Sequence, residues 1–143
     1  MPPVSDQRHR IAAAPCLRIE AWRDAVVETH GHDPRSAYAA RFWLPIVGPS
    51  CLVAARSLIE GLGHSPAGYE VELAPLGHAL GLPGKAGNQA KIVRTLDRLA
   101  AFGLASFHAT STPLYRVRLA WPPLTQRQLA RLPEFLVELH PAA

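Results

Sequence analysis

The stretch at residues 87–103, GNQAKIVRTLDRLAAFG, has the pattern of a single amphipathic helix. Successive residues turn by about 100° around a helix axis, which separates an apolar side from a polar side. The apolar side holds Ile92, Val93, Leu96, Leu99 and Ala100. The opposite side holds Lys91, Arg94, Thr95 and Arg98. The stretch therefore predicts a helix that packs on a core with one side and presents a basic face with the other.

The ends of this helix carry their own signals. Asn88 is expected as the N-cap, because its side chain can accept a hydrogen bond from a free amide of the first turn. Gly103 is expected to close the helix in the left-handed conformation that glycine adopts without strain. The one acid, Asp97, falls at the edge of the polar arc.

The segments on both sides set this helix in context. Upstream, the sequence predicts a helix over residues 49–63, a short strand over 69–73, and a two-turn helix that ends at the Gly81-Leu82-Pro83-Gly84 turn. Downstream, alternating residues 104–109 and 114–119 predict two strands. The turn cluster Thr110-Ser111-Thr112-Pro113 joins them into a hairpin.

This order of elements resembles the winged helix-turn-helix domain of bacterial regulators. The resemblance covers residues 49–120 and implies a mainly α fold with a small β-hairpin wing, flanked by N- and C-terminal helical extensions. It implies sequence-specific or architectural binding of double-stranded DNA, in transcriptional regulation. Residues 88–102 would be the recognition helix in the major groove, and residues 104–119 would be the wing on the backbone or minor groove. The segment PRSAYAARFWLPIVGPS, residues 34–50, also resembles small actinobacterial proteins, a resemblance that implies no function.

Charge is concentrated in the same region. Residues 85–118 hold six basic residues and one acid, whereas the rest of the chain holds nine basic and ten acidic residues. A localised positive patch favours a polyanionic partner. The expected DNA contacts are Lys85, Asn88, Gln89, Lys91, Arg94, Thr95, Arg98, Thr110, Ser111, Thr112, Arg116 and Arg118.

The flanking segments predict simpler roles. Residues 1–15 lack periodicity and are expected to be a flexible tail. The alternative is an arm that touches nucleic acid through His9, Arg8 and Arg10. Residues 16–48 form an extension whose Asp33-Pro34 start predicts an aromatic helix that stops before Pro45. In residues 121–143, Thr125 and Gln128 have capping-box form, and Pro133 must kink or split the helix that follows. A homodimer is expected through an aromatic surface (Tyr38, Phe42, Trp43) and a leucine stripe (Leu129, Leu132, Leu136, Leu139).

Other classes of function receive little support. His30 and His32 stand without a second ligand pair, and Cys16 and Cys51 are isolated, so neither a metal site nor a disulfide framework is predicted. No catalytic motif or cofactor fingerprint is present, so no enzyme activity is expected. No stretch has transmembrane length, and the chain is expected in the cytoplasm, with the nucleoid if it binds DNA.

The competing hypothesis is a winged helix that docks on another protein and does not touch DNA. The aromatic surface and the leucine stripe would supply its apolar contact area. Such a module has no need for its positive charge to lie on one helix and its hairpin, so the charge distribution favours DNA.

Overall fold

The computed structural model describes residues 4–14, 16–84 and 89–141. Within these ranges the chain has a mixed α/β fold with one four-stranded sheet. The elements in chain order are α1 (Val4–Ala13), β1 (Leu17–Trp22), α2 (Ala25–His30), a π-helical turn (Ala39–Trp43), α3 (Leu44–Val47), α4 (Pro49–His64), β2 (Tyr69–Val71), α5 (Leu73–Ala79), α6 (Ala90–Ala101), β3 (Ala105–His108), β4 (Leu114–Arg118), α7 (Gln126–Leu129) and α8 (Glu134–Leu139).

The sheet corrects the expectation of a mainly α fold with only a small hairpin. Its strand order is β2-β1-β4-β3, so the strand from the N-terminal extension lies in the middle. Strand β1 pairs antiparallel with β2 and parallel with β4, with Ile19 opposite both Tyr69 and Tyr115. The hairpin β3–β4 is present as predicted. Because β1 separates β2 from β4, the extension and residues 49–120 share one sheet.

Helix α6 packs its apolar side into the core as the periodicity predicts. Ile92, Leu96 and Leu99 are at most 1% exposed. Tyr115 on β4 is fully buried, and its hydroxyl donates to the Leu96 carbonyl at 2.7 Å. A buried phenol needs such a partner, so this bond ties the sheet to α6.

Glycine closes α5 and α6 in the same way. Gly81 and Gly103 have φ values of +73° and +72°. After α6, the Gly103 amide donates to Ala100 and the Leu104 amide donates to Leu99, the paired bonds of a Schellman motif. The expected left-handed conformation of Gly103 is confirmed, and Leu104, which follows it, is buried at the end of the helix.

The N-terminal segment differs from its prediction. Residues 4–13 form a helix where a flexible tail was expected. Ile11 and Ala14 are buried, and the side chains of Gln7 and Arg8 bind Asp97 on α6. The apolar contact and the ion pair together hold this segment on the core.

The aromatic segment also departs from the expected regular helix. Its turn over Ala39–Trp43 is π-helical, and the chain continues as α3 through Pro45. Proline has no amide hydrogen and its ring crowds the carbonyl four residues earlier, so a widened turn accommodates it. Phe42 and Trp43 are buried in the chain's own core, and Trp43 Nε1 donates to the Pro122 carbonyl. This surface is therefore not available for the expected dimer contact.

The C-terminal extension follows its sequence signals. The Thr125 side chain accepts from the Gln128 amide, and the Gln128 side chain accepts from the Thr125 amide, as a capping box requires. The helical stretch is split in two at Pro133. Leu132 is buried and Leu129 and Leu136 are half-buried, whereas Phe135 and Leu139 are exposed.

Candidate nucleic-acid interface

The outer face of α6 presents three cations. Lys91, Arg94 and Arg98 are exposed and lie one helical turn or two turns apart. The side chains of Lys91 and Arg94 form no hydrogen bond or ion pair within the described part of the chain. Their charges are therefore available to a partner.

Two residues assigned to this face lie inside. Thr95 is 6% exposed, and its hydroxyl donates to the Lys91 carbonyl at 3.0 Å. The Cys51 thiol on α4 lies 3.6 Å from the Thr95 carbonyl, which shows that this side of α6 packs on α4. Asp97, expected at the edge of the polar arc, is 1% exposed because α1 covers it. Thr95 therefore packs against α4, and little of its side chain reaches the surface.

The three cations line one groove between α6 and the start of α4. The groove encloses about 400 Å³ and includes Gly48, Pro49, Ser50 and Leu82 in its wall. Helix α4 begins at Pro49, and no side chain caps its first turn. Free amides at a helix start carry a partial positive charge, which adds to that of the side chains. The groove thus combines positive charge with hydrogen-bond donors.

Arg98 has a structural task in addition to its position in the groove. Its Nε donates to the Val47 carbonyl at 2.9 Å and its Nη2 to the Ile46 carbonyl at 3.2 Å. These bonds satisfy the last carbonyls of α3, which would otherwise have no helical partner. Arg98 consequently holds α3 against α6. Only the part of its guanidinium group that is not used in these bonds can contact a ligand.

The two arginines of β4 have different environments. Arg116 is exposed, with no described side-chain partner, and its register neighbours are Glu20 and Ser106. Arg118 instead stacks on the Trp22 ring at 3.6 Å, pairs with Asp24 at 3.2 Å and donates to the Gly103 carbonyl. Arg118 therefore holds the hairpin on the rest of the fold, and of these two arginines Arg116 is the one without a partner among the described residues.

The hairpin tip is polar and exposed. Thr110, Ser111 and Thr112 all face solvent, and the Thr110 hydroxyl donates to the Thr112 carbonyl at 2.6 Å. The hydroxyls of Ser111 and Thr112 have no described partner. The tip can donate hydrogen bonds but adds no charge.

The remaining expected contacts lie at the start of α6. Lys85 and Asn88 fall outside the described residues, so the predicted Asn88 cap is not described. Gln89 directly precedes α6 and is half-buried, and its side-chain oxygen has no partner among the described residues. Gln89 and Arg94 also line a second cavity of about 380 Å³ together with Arg8 and His9 of α1.

Sequence reasoning missed Ser50, and it set Arg8 and His9 aside as residues of a flexible tail. The Gly48-Pro49-Ser50 run indicates a helix start with a hydroxyl in the first turn, so the sequence held a signal for Ser50. The place of Arg8 and His9 beside Arg94 could not be predicted, because it depends on the packing of α1 against α6.

Across the three described ranges, no group of three His, Cys, Asp or Glu side chains is arranged to hold a metal ion. His30 is exposed, and the His32 ring stacks on Tyr38 at 3.7 Å. No described helix is long and apolar enough to cross a membrane.

Comparison with known proteins gives a structural likeness only. No protein-family model matches the chain, and no curated protein sequence matches it. The fold is similar to that of primosome protein DnaB (residues 1–300) from Geobacillus stearothermophilus, with a TM-score of 0.53 and 21% identity. The match covers 88% of this chain and 46% of that chain, so it spans about half of the neighbour's length. At this identity the likeness shows a shared fold.

Proposed function

We propose that this chain binds double-stranded DNA through the groove between α4 and α6, with the β3–β4 hairpin beside it. The observation that carries the proposal is the convergence of Lys91, Arg94 and Arg98 on one groove, where Lys91 and Arg94 have no side-chain partner among the described residues. Cations that are not neutralised within their own fold are the usual source of affinity for phosphates. The chain would act by binding, without catalysis or a cofactor.

The order of elements from α4 to β4 adds support. A helix, a short strand, two helices and a hairpin follow one another, as in a winged helix-turn-helix domain. We infer that α6 enters the major groove, where Arg94 can reach guanine edges and Lys91 the phosphates. Arg116 and the hairpin tip would contact the backbone or minor groove.

The cellular role is a further step of the proposal. Transcriptional regulation in the cytoplasm follows from the winged-helix resemblance. The neighbour of similar fold is named as a primosome protein, which favours a DNA-related role of a different kind. Binding to duplex DNA is common to both roles, so it is the activity to test first.

The test is fluorescence anisotropy with a labelled duplex of about 25 base pairs, titrated at several salt concentrations. The double variant Lys91→Ala/Arg94→Ala should bind at least about tenfold more weakly, with a salt slope smaller by about two units. The matched control is Arg127→Ala/Arg131→Ala, which removes the same charge from exposed positions of the C-terminal extension. This control should stay within about twofold of the parent.

A second candidate function is docking on another protein or on a second copy of this chain. Exposed Phe135 and Leu139, four residues apart on α8, favour it. Leu139 belongs to the expected leucine stripe, whereas Phe135 was not part of an expected dimer surface. Phe135→Glu/Leu139→Glu should then shift the parent to a smaller species in analytical ultracentrifugation. If the parent is already a monomer, docking on a second copy of this chain is wrong. If Lys91→Ala/Arg94→Ala binds DNA as tightly as the parent, the DNA groove is wrong.

A further inference from the structure

A third cavity, of about 340 Å³, lies where the C-terminal segment meets the N-terminal extension. Its wall comes from three separate segments: His32 and Tyr38, then the run from Pro123 to Leu129, then Val137 to Pro141. Volumes of this order suit a small organic molecule. The proposed DNA groove uses none of these residues.

The polar groups of this cavity are organised around Tyr38. The Tyr38 hydroxyl accepts from the Leu124 amide at 3.0 Å and lies 2.6 Å from His140 Nε2. Burial raises the pKa of Tyr38, so the hydroxyl keeps its proton. Since the Leu124 amide can only donate, the Tyr38 hydroxyl can use its own proton to donate a hydrogen bond to His140 Nε2. In that arrangement His140 carries its own proton on Nδ1, which makes Nδ1 a donor.

The second imidazole has no hydrogen-bond partner. The His32 ring lies flat against Tyr38, with an interplanar angle of 9°, and its nitrogens form no bond among the described residues. Burial lowers the pKa of His32, and the neighbouring His140 adds to this effect. The neutral His32 imidazole can take up a proton when an anion binds beside it, because the anion stabilises the charged form. It then pairs with the anion.

The rest of the wall is apolar. Leu124, Leu129 and Val137 line it, with Pro123 and Pro141 beside them. One polar side chain, Gln126, lies at the wall as well. Such a cavity favours a molecule with a flat or aliphatic body and one anionic group.

From this arrangement we propose that the cavity formed by His32, Tyr38, His140 and the neighbouring leucines binds a small carboxylate with an apolar body. The carboxylate accepts hydrogen bonds from the two imidazoles, and the apolar body packs on Leu124, Leu129 and Val137. Because the wall comes from three segments, the bound molecule holds the C-terminal segment on the extension. This site does not depend on DNA binding.

The test is a titration of the full chain with benzoate at about pH 6, observed through the histidine ring signals in ¹H–¹³C NMR spectra. Benzamide, which has the same shape without the charge, is the control ligand. The His32 and His140 signals should move in a saturable manner with benzoate only. Signals of exposed His64 and His78 should stay in place.

Variants locate the site. His140→Gln should weaken benzoate binding at least about tenfold, whereas His64→Gln should leave it unchanged. If His140→Gln loses signal dispersion and is unfolded, His32→Gln replaces it, with the same expected loss. The proposal is overturned if benzamide moves the same signals as strongly, if all histidines shift together, or if neither signal moves at about 20 mM benzoate.

Discussion

Arg8 Nε lies 2.8 Å from Asp97 Oδ2, and this ion pair joins the first helix of the chain to the helix that carries the basic face. Asp97 is almost completely buried, whereas the Arg8 side chain is half-exposed. Gln7 donates a second hydrogen bond to the same carboxylate at 2.9 Å. A buried carboxylate needs such donors, so the position of α6 depends on α1.

Asp97→Ala should therefore lower the free energy of unfolding by about 1–3 kcal/mol, because it removes two hydrogen bonds to a charged group. Urea unfolding followed by circular dichroism measures this change. Arg10→Ala is the control, since Arg10 is exposed and has no described partner, and it should change stability by less than about 0.5 kcal/mol. Equal stability of Asp97→Ala and the parent would mean that α1 does not depend on this contact.

Two glycines with equally open surroundings should respond in opposite ways to alanine. A Cβ at Gly63 or at Gly103 would meet no atom within 4 Å. Gly103 has a φ of +72°, whereas Gly63 lies within α4 without a positive φ. Gly103→Ala should cost about 1–2 kcal/mol through left-handed strain. Gly63→Ala should stabilise the chain by about 0.4–1 kcal/mol. Thermal unfolding of both variants measures the contrast, and a gain at both positions would contradict the strain argument.

The free energy of unfolding should decrease at alkaline pH. Burial raises the pKa of Cys51 from 9.0 to about 11 and that of Tyr69 from 10.0 to about 12, and it also raises that of the buried Tyr115. Above about pH 9 the unfolded chain therefore loses protons that the folded chain still holds, so unfolding becomes more favourable as pH rises. Below about pH 9 these groups are protonated in both the folded and the unfolded chain, so they do not make the free energy of unfolding depend on pH.

Urea midpoints at about pH 8 and pH 10.5 measure this alkaline loss. Cys51→Ala should reduce the loss, because one of the shifted groups is then absent. Cys16→Ala, at a half-exposed position, is the matched variant for the removal of a thiol. Desolvation and the neighbouring Glu70 also raise the pKa of Cys16, but less than that of Cys51, so this variant should reduce the loss less. A midpoint that stays constant over this range would contradict the assignment of these groups to the core.

Local signals in the sequence predicted much of the fold. The periodicity of residues 90–101, the glycine at 103 and the capping box at Thr125 depend only on nearby residues, and each prediction was confirmed. The place of β1 could not be predicted, because its alternation shows that one face is buried but does not choose the neighbouring strands. The expected sheet therefore lacked its central strand.

At the candidate nucleic-acid interface, too, local sequence signals do not reveal which residues the tertiary contacts bury. A helical wheel assigns Thr95 to the basic face from its angle alone, but the contact of α6 with α4 buries it. Likewise, Arg116 and Arg118 follow the same alternation and look equivalent in sequence. Only the fold places Trp22 and Asp24 beside Arg118 and leaves Arg116 in solvent.

These two arginines supply a test of interface and fold together. Arg118→Ala removes a cation–π contact, an ion pair and a hydrogen bond, and it should lower the unfolding free energy by about 1–2 kcal/mol. Arg116→Ala should change stability by less than about 0.5 kcal/mol, since no described partner is lost. In the anisotropy assay Arg116→Ala should weaken binding to all duplexes and reduce the salt slope by about one unit. Unchanged DNA affinity in a folded Arg116→Ala would remove the hairpin from the interface and restrict the proposed contact to α6 and the start of α4.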